Sequence, residues 1–376
     1  MKFLLFGTGN MANQVMEGIL NLKRNIEIIG VIDNDETKHG GKFFQYTIAG
    51  PERIKDYAYD YICILLGKNY ADVYTQLVYG YHIQKDKIVD RFFLLKVIMT
   101  EKYRESEDRD IQDTISFWQK NNLSFFNQFE YVPARYEKVF WDMENNMPFI
   151  LYERKRLYYP RNYDGFFVKD DELYVVSYRD MEQHMKSPHR YLTDSICFEE
   201  GDIVVDAGAR EGDFALPYIE KIKKLYLIEC DSGWVKALQM TYKDYKDKVI
   251  IVPKMLSDKV TENSTTLMET LGNEKVTFIK MDIEGAETKA LSVSGKLFKN
   301  NNIKCAICSY HKKNDKDDIE KILKKFGYRC SESKGYVVFV ADPDIFKEAD
   351  FRRGIIYAQK DCPNDLAFNL SESVDQ

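Results

Sequence analysis

Two stretches of the chain alternate short apolar runs with segments of helical spacing, and the first stretch begins at the N-terminus. The apolar runs have the length and the β-branched or aromatic content of strands, and apolar residues recur every three or four positions between them. Strands are predicted at Phe3–Phe6, Ile26–Ile32, Asp60–Leu66 and Ile88–Val89, and helices at Met11–Leu22 and Tyr70–Tyr79. This order predicts a small open α/β domain, which we place at residues 1–95.

The second alternation is longer and runs from Gly201 to Val340. Strands are predicted at 203–206, 225–229, 249–252, 276–282 and 303–310, and helices at 214–223, 234–242, 286–297 and 317–325. Residues 328–331 and 336–340 are predicted to close the sheet as a pair of strands. The pattern predicts a doubly wound α/β sheet that ends in an antiparallel hairpin.

The remaining segments differ in character from the two alternating stretches. Residues 96–150 combine a charged run with scattered aromatic residues, which predicts a helical connector between the domains. Residues 151–200 hold short extended runs separated by turns, and we include them in a second domain at 151–345. The polar segment 346–376 is predicted to be a C-terminal tail.

Composition narrows the possible partners and compartment. A net charge of −6 gives no general attraction for nucleic acid or for an anionic membrane surface. No apolar run approaches the roughly 20 residues of a membrane span, and the apolar start at Met1–Gly7 is too short for a signal peptide. The seven cysteines are scattered and odd in number, which is typical of reduced thiols in the cytoplasm. The sequence leaves open whether the protein forms a homo-oligomer.

A glycine-rich turn follows the first strand of the second alternation. Asp206 ends that strand, and Gly208 and Gly212 follow it, so that backbone N–H groups and the start of the next helix face a ligand. A carboxylate at this place would repel a pyrophosphate but suits a ligand with a positive end. S-adenosylmethionine (SAM) has an ammonium and a sulfonium, so a methyltransferase is the first hypothesis. A plain strand–turn–helix with a solvated Asp206 is the alternative.

Polar residues also follow the other predicted strands. Because the carboxyl ends of parallel strands meet at one edge of a sheet, these side chains are expected to share one site. Glu229 is placed to bind ribose hydroxyls, and Ser257 and Asp258 are candidates for holding an adenine ring. The remaining strand ends carry Asp282, Glu284 and His311.

These motifs together resemble the FkbM family of SAM-dependent methyltransferases, over about residues 187–340. The block Asp282–Glu287 (DIEGAE) is the most characteristic part, beside Asp202–Phe214, Leu227–Glu229, Leu256–Asp258 and Tyr310–Lys312. Arg210 departs from the pattern, since the family commonly has Asn there. The resemblance implies a class I methyltransferase fold and O-methylation, often of sugars in surface glycans or of secondary-metabolite hydroxyls.

Methyl transfer to a hydroxyl requires alignment and the removal of a proton. His311 is the first candidate base, since a reference pKa near 6.5 leaves it largely neutral at pH 7. Asp282 is the second candidate, and Glu284 is a candidate for orienting acceptor hydroxyls. The same three side chains could instead hold a divalent metal ion, which we do not favour.

The N-terminal domain carries a glycine turn of its own. Gly7 and Gly9 belong to a G-x-G-x-x-A turn after the first strand, and Asp33 ends the second strand, where a carboxylate can hold ribose hydroxyls. The motif indicates a nucleotide or nucleotide-sugar site, with the alternative that the glycines and Asp33 simply make turns. The domain resembles the small N-terminal domains of sugar-modifying enzymes of surface polysaccharide synthesis, such as sugar acyltransferases of the hexapeptide-repeat class. The leading hypothesis is therefore O-methylation of a sugar in a surface polysaccharide or nucleotide-linked glycan precursor. An NAD-dependent oxidoreductase and a non-catalytic nucleotide- or glycan-binding scaffold are the alternatives.

Overall fold

The computed structural model describes residues 1–20, 22, 25–123 and 134–360 of the chain. Its contacts divide the chain into two compact units. The first unit comprises Met1–Gln128 and Val338–Phe351, and the second comprises Phe129–Val337 and Arg352–Gln376. The chain thus leaves the second unit after Val337 and returns to it at Arg352, which differs from the predicted domain limits at 151–345. None of the helices in the described part of the chain is both long and apolar enough to cross a membrane.

The first unit is built on one mainly parallel sheet. Its elements are β1 (Lys2–Phe6), α1 (Asn10–Leu20), β2 (Glu27–Ile32), β3 (Lys42–Phe43), β4 (Tyr46–Ala49), β5 (Tyr61–Ile64), α2 (Tyr70–Thr75), β6 (Ile88–Asp90), α3 (Arg91–Lys102) and α4 (Arg109–Trp118). Shorter helical turns lie at Glu36–Lys38, Pro51–Asp56, Gln76–Gly80 and Lys85–Lys87. The described strands are ordered β3-β4-β2-β1-β5-β6, and only β3 runs antiparallel to its neighbour. The predicted strands and helices of residues 1–95 are therefore observed, within a few residues.

The order of the strands in the first unit indicates where a ligand could bind. From β1 the chain moves outward to β2 and β4, and then returns past β1 to β5 and β6. The order therefore reverses between β1 and β5. In open parallel sheets a crevice forms at the carboxyl ends of the strands on either side of such a reversal.

The second unit begins with antiparallel strands. They are β7 (Arg135–Lys138), β8 (Phe140–Asp142), β9 (Met147–Tyr152), β10 (Lys155–Tyr158), β11 (Phe166–Lys169) and β12 (Glu172–Ser177), followed by the short helix α5 (Arg179–Glu182). They form two three-stranded sheets in the described part of the chain, β10-β9-β8 and β11-β12-β7. The C-terminal part of the predicted helical connector, from Arg135 onward, is therefore β structure, because its residues pair with neighbouring strands. Its residues 124–133 lie outside the described part.

The rest of the second unit is an α/β sheet. Its elements are β13 (Ile203–Ala207), β14 (Lys224–Ile228), α6 (Ser232–Thr241), β15 (Val249–Val252), β16 (Met255–Leu256), β17 (Ser264–Thr265), α7 (Leu267–Leu271), β18 (Phe278–Met281), α8 (Glu287–Ser292), α9 (Gly295–Asn300), β19 (Lys304–Cys308), α10 (Asp315–Lys325), β20 (Arg329–Glu332), α11 (Ile345–Glu348, in the first unit) and β21 (Ile355–Gln359). Seven described strands are ordered β15-β14-β13-β18-β19-β21-β20. The predicted doubly wound α/β sheet is confirmed, with β13 and β18 as neighbours inside it.

Four details predicted for this part of the chain are wrong. The closing antiparallel strand is β21, which pairs with both β19 and β20, whereas 336–340 forms no strand. The run Ile355–Tyr357 is apolar and completes the sheet, so this part of the predicted tail is buried structure. The predicted helix 214–223 is only a 3-10 turn at Leu216–Tyr218, with Pro217 inside it. The predicted helix 286–297 is divided into α8 and α9.

Residues 338–351 explain why the last strand comes so late in the sequence. Phe351 stacks on Trp118 with ring centroids 5.4 Å apart, and Lys102 donates to the carbonyl oxygens of Glu348 and Ala349. The helix α11 packs on α1, where Gly18 leaves room for the Phe346 carbonyl. This excursion is part of the core of the first unit, and it delays the strand that completes the sheet of the second.

Candidate functional site

The glycine turn after β13 lies against the end of β18. Gly208 has φ +75°, and a Cβ there would stand 1.7 Å from the carbonyl oxygen of Asp282. Gly212 has φ +73°, and a Cβ there would stand 2.4 Å from a methyl group of Leu238. Both positions therefore need glycine, for conformation and for space. Arg210, where the family pattern has Asn, also has a positive φ of 42°, which a short polar residue adopts at lower cost.

Asp206 is buried inside this turn and is already paired. Its carboxylate is fully buried, and Lys280 Nζ lies 3.0 Å from Oδ1. The same ammonium donates to the carbonyl of Gly208 at 2.7 Å. Burial raises the pKa of Asp206 to about 6, and the charge of Lys280 limits the rise. The expectation that Asp206 awaits the positive end of a ligand therefore loses its basis, because Lys280 supplies that positive charge.

Lys280 is a residue that the sequence reasoning missed. It lies in β18 between apolar neighbours and is only 5% exposed. A lysine in a strand buried on both faces requires a paired anion, so the sequence did contain a signal. Which anion it pairs with depends on the neighbouring strand, since β13 and β18 lie side by side.

Asp282 gathers several polar side chains at the end of β18. It accepts a hydrogen bond from the hydroxyl of Tyr191 at 2.8 Å, and the Nε2 atoms of His189 and His311 lie 3.6 Å and 3.3 Å from its oxygens. Burial alone would raise the pKa of Asp282. The hydrogen bonds with both histidines and the charge of Lys280 outweigh burial and hold this pKa well below its usual value. Asp282 is thus a carboxylate at neutral pH, and its side chain is 20% exposed.

His311 lies between two carboxylates. Its Nε2 is 3.3 Å from Asp282 Oδ1, and its Nδ1 is 3.1 Å from Oε1 of Glu287, which is fully buried. Burial favours neutral histidine, but the two carboxylates outweigh it and raise the pKa of His311 to about 10. The side chain is therefore an imidazolium at pH 7, with no lone pair for a proton. The prediction of His311 as the general base fails on this point, because Glu287 was not recognised as its second partner.

We expect the charge of His311 to stabilise the fold in a pH-dependent way. Its folded-state pKa of about 10 lies above its ordinary value of 6.5, so the contribution is complete below pH 6.5 and is lost as the pH rises through 10. At pH 6 the unchanged protein should therefore be more stable than a His311→Gln variant. This difference in the free energy of unfolding should shrink by about 3–5 kcal/mol between pH 6 and pH 10.5. Urea unfolding at several pH values measures this difference, and a constant difference across the range would contradict the assignment.

The other expected member of the catalytic group, Glu284, lies at its rim. Its side chain is 87% exposed, and its nearest oxygen is 3.7 Å from His311 Nε2. A metal site is also disfavoured. The ligand atoms of Asp282, Glu287 and His311 lie within 4.8 Å of one another, but the two carboxylates face different nitrogens of one ring. A metal ion binds one nitrogen of an imidazole, so these three groups fit an ion-pair network better than a metal centre.

The candidate cofactor residues divide into two groups. Glu229 follows β14 beside the glycine turn and accepts N–H bonds from Arg210 at 2.9 Å and from Asp231 at 2.8 Å. A carboxylate has about four acceptor positions, so these described bonds orient it and leave capacity for ligand hydroxyls. Ser257 and Asp258 follow the short strand β16, and they hydrogen-bond to each other at 3.1 Å. No described contact joins these two residues to Asp206 or Asp282.

Tyr191 and His189 are further members of the group around Asp282. The structure buries His189 against the hydroxyls of Tyr191 and Tyr310, at 3.2 Å and 3.1 Å. Burial and the charge of Asp282 raise the pKa of Tyr191 well above its usual value, so it remains a hydroxyl donor. Arg190, by contrast, offers its carbonyl to the hydroxyl of Tyr357.

The glycine turn of the first unit has its own arrangement. Gly7 has φ +106°, and a Cβ at Gly9 would meet open space. Asp33 accepts from the backbone N–H and the hydroxyl of Thr8, from the N–H of Asp35 and from Lys38 Nζ. Burial opposes these contacts, yet they lower the pKa of Asp33. Three of these donors, the N–H and hydroxyl of Thr8 and Lys38 Nζ, converge on Oδ2, and the N–H of Asp35 reaches Oδ1. They hold the side chain of Asp33, which was predicted to bind ribose hydroxyls, in a fixed position and leave an acceptor position on Oδ1.

Two segments of the sequence match known protein families. Residues 1–89 match the family described as C2185-like, N-terminal, and residues 206–330 match the family described as Methyltransferase FkbM domain. The chain matches no curated protein. The second match covers the glycine turn, Glu229, Asp282 and His311.

Several solved structures are similar to the chain. A methyltransferase FkbM from Methylobacillus flagellatus KT is 15% identical with a TM-score of 0.41, and the similarity covers 95% of this chain and 89% of that one. A fibrillarin from Aeropyrum pernix, solved with natively bound SAM, is 15% identical with a TM-score of 0.30, and the similarity covers 60% of this chain and 100% of that one. A fibrillarin pre-rRNA processing protein from Methanococcus jannaschii is 13% identical with a TM-score of 0.33, covering 61% and 98%.

Proposed function

We propose a reaction for this chain from the premise that its residues 206–330 belong to the FkbM family of methyltransferases, as the sequence predicted. The chain is a methyltransferase, and SAM is its methyl donor. Its acceptor is a hydroxyl of a sugar in a surface polysaccharide or a nucleotide-linked glycan precursor. Such a precursor is built in the cytoplasm, where we expect the enzyme to act.

One observation carries this proposal. Asp282 is an ionised carboxylate that is partly exposed at the end of β18, directly beside the turn of Gly208. The hydroxyl group that receives the methyl must donate its own hydrogen bond to a group at this place, and a carboxylate can accept that bond. His311, Tyr191 and His189 hold the carboxylate in a fixed position.

The residues would divide the work as follows. Glu229 would accept the ribose hydroxyls of SAM, Gly208 and Gly212 would let the backbone approach its methionine end, and Ser257 with Asp258 would face its adenine ring. SAM supplies an electrophilic methyl group. Asp282 would orient the acceptor hydroxyl and take its proton as the bond from oxygen to the methyl carbon forms. The bond from that carbon to the sulfonium sulfur would break at the same time, and the demethylated donor would leave as a neutral thioether.

A carboxylate with a low pKa is a weak base, but a weak base is sufficient for this role. The acceptor oxygen becomes strongly acidic only once it has gained the methyl group, so a weak base suffices to receive the proton. The fixed direction of the hydrogen bond then contributes through alignment. His311, as a cation, would hold Asp282 in its ionised form rather than act as a base itself.

The oxidoreductase alternative would place NAD in the first unit. It would need Asp33 to bind ribose hydroxyls through Oδ1, because the described donors from Thr8 and Lys38 converge on Oδ2. Methyl transfer in the second unit, by contrast, gives the ionised Asp282 a chemical role.

We expect a Glu229→Gln variant to bind SAM about 10- to 100-fold more weakly, because the amide replaces an oxygen acceptor by a donor and removes the charge. Isothermal titration calorimetry with SAM measures the change. Glu262→Gln is the matched control, since Glu262 is exposed and lies in the loop before β17. Equal affinity of both variants and the unchanged protein would remove Glu229 from the site, and no binding of SAM to the unchanged protein would remove the donor assignment.

A further inference from the structure

A cavity of about 410 Å³ opens in the first unit, at the carboxyl ends of its central strands. Gly7 follows β1, Asp33 follows β2 and Leu66 lies just beyond β5, and all three line the cavity. The strand order reverses between β1 and β5, so the cavity occupies the crevice where open α/β sheets bind ligands. Its size is that of a small-molecule site.

The lining has an apolar floor and a polar rim. Phe6, Leu66 and Val73 contribute the apolar part. The rim consists of carboxylate and amide side chains, namely Asn34, Asp35, Asn69, Asp72 and Gln76. The amides of Asn34 and Gln76 hydrogen-bond to each other at 2.8 Å and 3.1 Å, which leaves each of them one further N–H and one further acceptor position. Together with Asn69 and the carboxylates, these groups can meet several hydroxyl groups at once. The floor offers a surface for the apolar C–H face of a ring.

The charge of the lining disfavours a phosphate. Three carboxylates, those of Asp33, Asp35 and Asp72, line the cavity. The nearby ammonium of Lys38 is 3.1 Å from Asp33 and 3.7 Å from Asp35, so it is engaged by these carboxylates. None of the described lining residues is a lysine or an arginine. A phosphorylated ligand would therefore meet net repulsion, contrary to the usual ligand of a glycine turn.

We propose that this cavity binds an uncharged pyranose ring, as found in a glycan, and that it discriminates against phosphorylated sugars and nucleotides. The ring would lie on Leu66 and Val73, with its hydroxyls directed to the amides and carboxylates of the rim. The proposal concerns the first unit alone and does not depend on methyl transfer in the second.

The full-length chain, fluorescently labelled, is applied to an array of neutral, phosphorylated and sialylated glycans. Neutral glycans are expected to retain it. An Asn69→Trp variant, which obstructs the cavity from its rim, should lose this binding by at least about 10-fold. Thr75→Trp is the matched control, because Thr75 is exposed on α2 and does not line the cavity. It should bind as the unchanged chain does.

A second measurement tests the role of charge. Calorimetry at low salt compares the affinity of glucose 1-phosphate for the unchanged chain and for an Asp35→Asn/Asp72→Asn variant, and the variant should bind it about 10-fold more tightly. An unchanged affinity overturns the discrimination against phosphate. The proposal is also overturned if no neutral glycan retains the chain, or if Asn69→Trp and Thr75→Trp bind glycans equally well. Binding of UDP-glucose or NAD that Asn69→Trp abolishes would overturn it as well. The Asn69→Trp variant should keep the affinity of the unchanged chain for SAM, which separates this site from the methyl-transfer site.

Discussion

An Asp282→Asn variant is expected to transfer methyl groups at least about 100-fold more slowly than the unchanged protein, with little change in its affinity for SAM. Asn keeps the size of the side chain but removes the charge and one of the two acceptor oxygens. In the proposed reaction the carboxylate receives the acceptor's proton, and Asp282 lies beside the turn of Gly208. The loss should therefore appear in the transfer step rather than in donor binding.

The measurement follows tritium from methyl-labelled SAM into polysaccharide extracted from the source organism, alongside calorimetry with SAM. Asp247→Asn is the control for the chemical change, since Asp247 is exposed and precedes β15. Thermal unfolding shows whether the variant is folded. If Asp282→Asn transferred methyl groups as fast as the control, Asp282 would not be the residue that handles the proton.

A Lys280→Met variant is expected to lose about 3–5 kcal/mol of its free energy of unfolding. Met fills a similar volume but leaves Asp206 without its cation, and the carboxylate is fully buried. Asp206 would then become protonated at neutral pH. Because its pKa is already about 6, protonation limits the cost, and the variant should be less destabilised at pH 5 than at pH 8.

The double variant Lys280→Met/Asp206→Asn distinguishes a charge effect from lost packing. Removing the carboxylate's charge as well should restore most of the stability that the single variant loses, in a double-mutant cycle measured by urea unfolding. A double variant as unstable as Lys280→Met would show that the packing of Lys280, or its bond to the Gly208 carbonyl, decides the outcome.

Local patterns were sufficient for most of the framework. The strands at 203–206 and 276–282 are apolar runs followed by glycine or carboxylate, and such patterns depend only on near neighbours in sequence. The strands of the first unit are similarly clear. Residues 338–351 were misassigned because their contacts, such as Phe351 on Trp118, join parts of the chain that lie far apart in sequence.

The candidate site shows the same division. From the sequence came the positions of Asp206, Glu229, Asp282 and His311 at strand ends, because a turn that follows a strand is encoded locally. The ionisation of Asp206, Asp282 and His311 was decided by tertiary structure. Lys280 reaches Asp206 only because β18 lies next to β13, and Glu287 reaches His311 only because α8 starts beside the end of β19.

The sequence by itself therefore determined the fold class and the similarity of residues 206–330 to the FkbM methyltransferase domain, and it predicted the edge of the sheet at which the candidate site lies. Tertiary structure alone decided that Asp206 is neutralised, that His311 is a cation and that the cavity at Gly7 is rimmed by acids and amides. The physical reason is that the pKa of a buried group depends on desolvation and on charges within a few ångströms, and those charges come from distant parts of the chain.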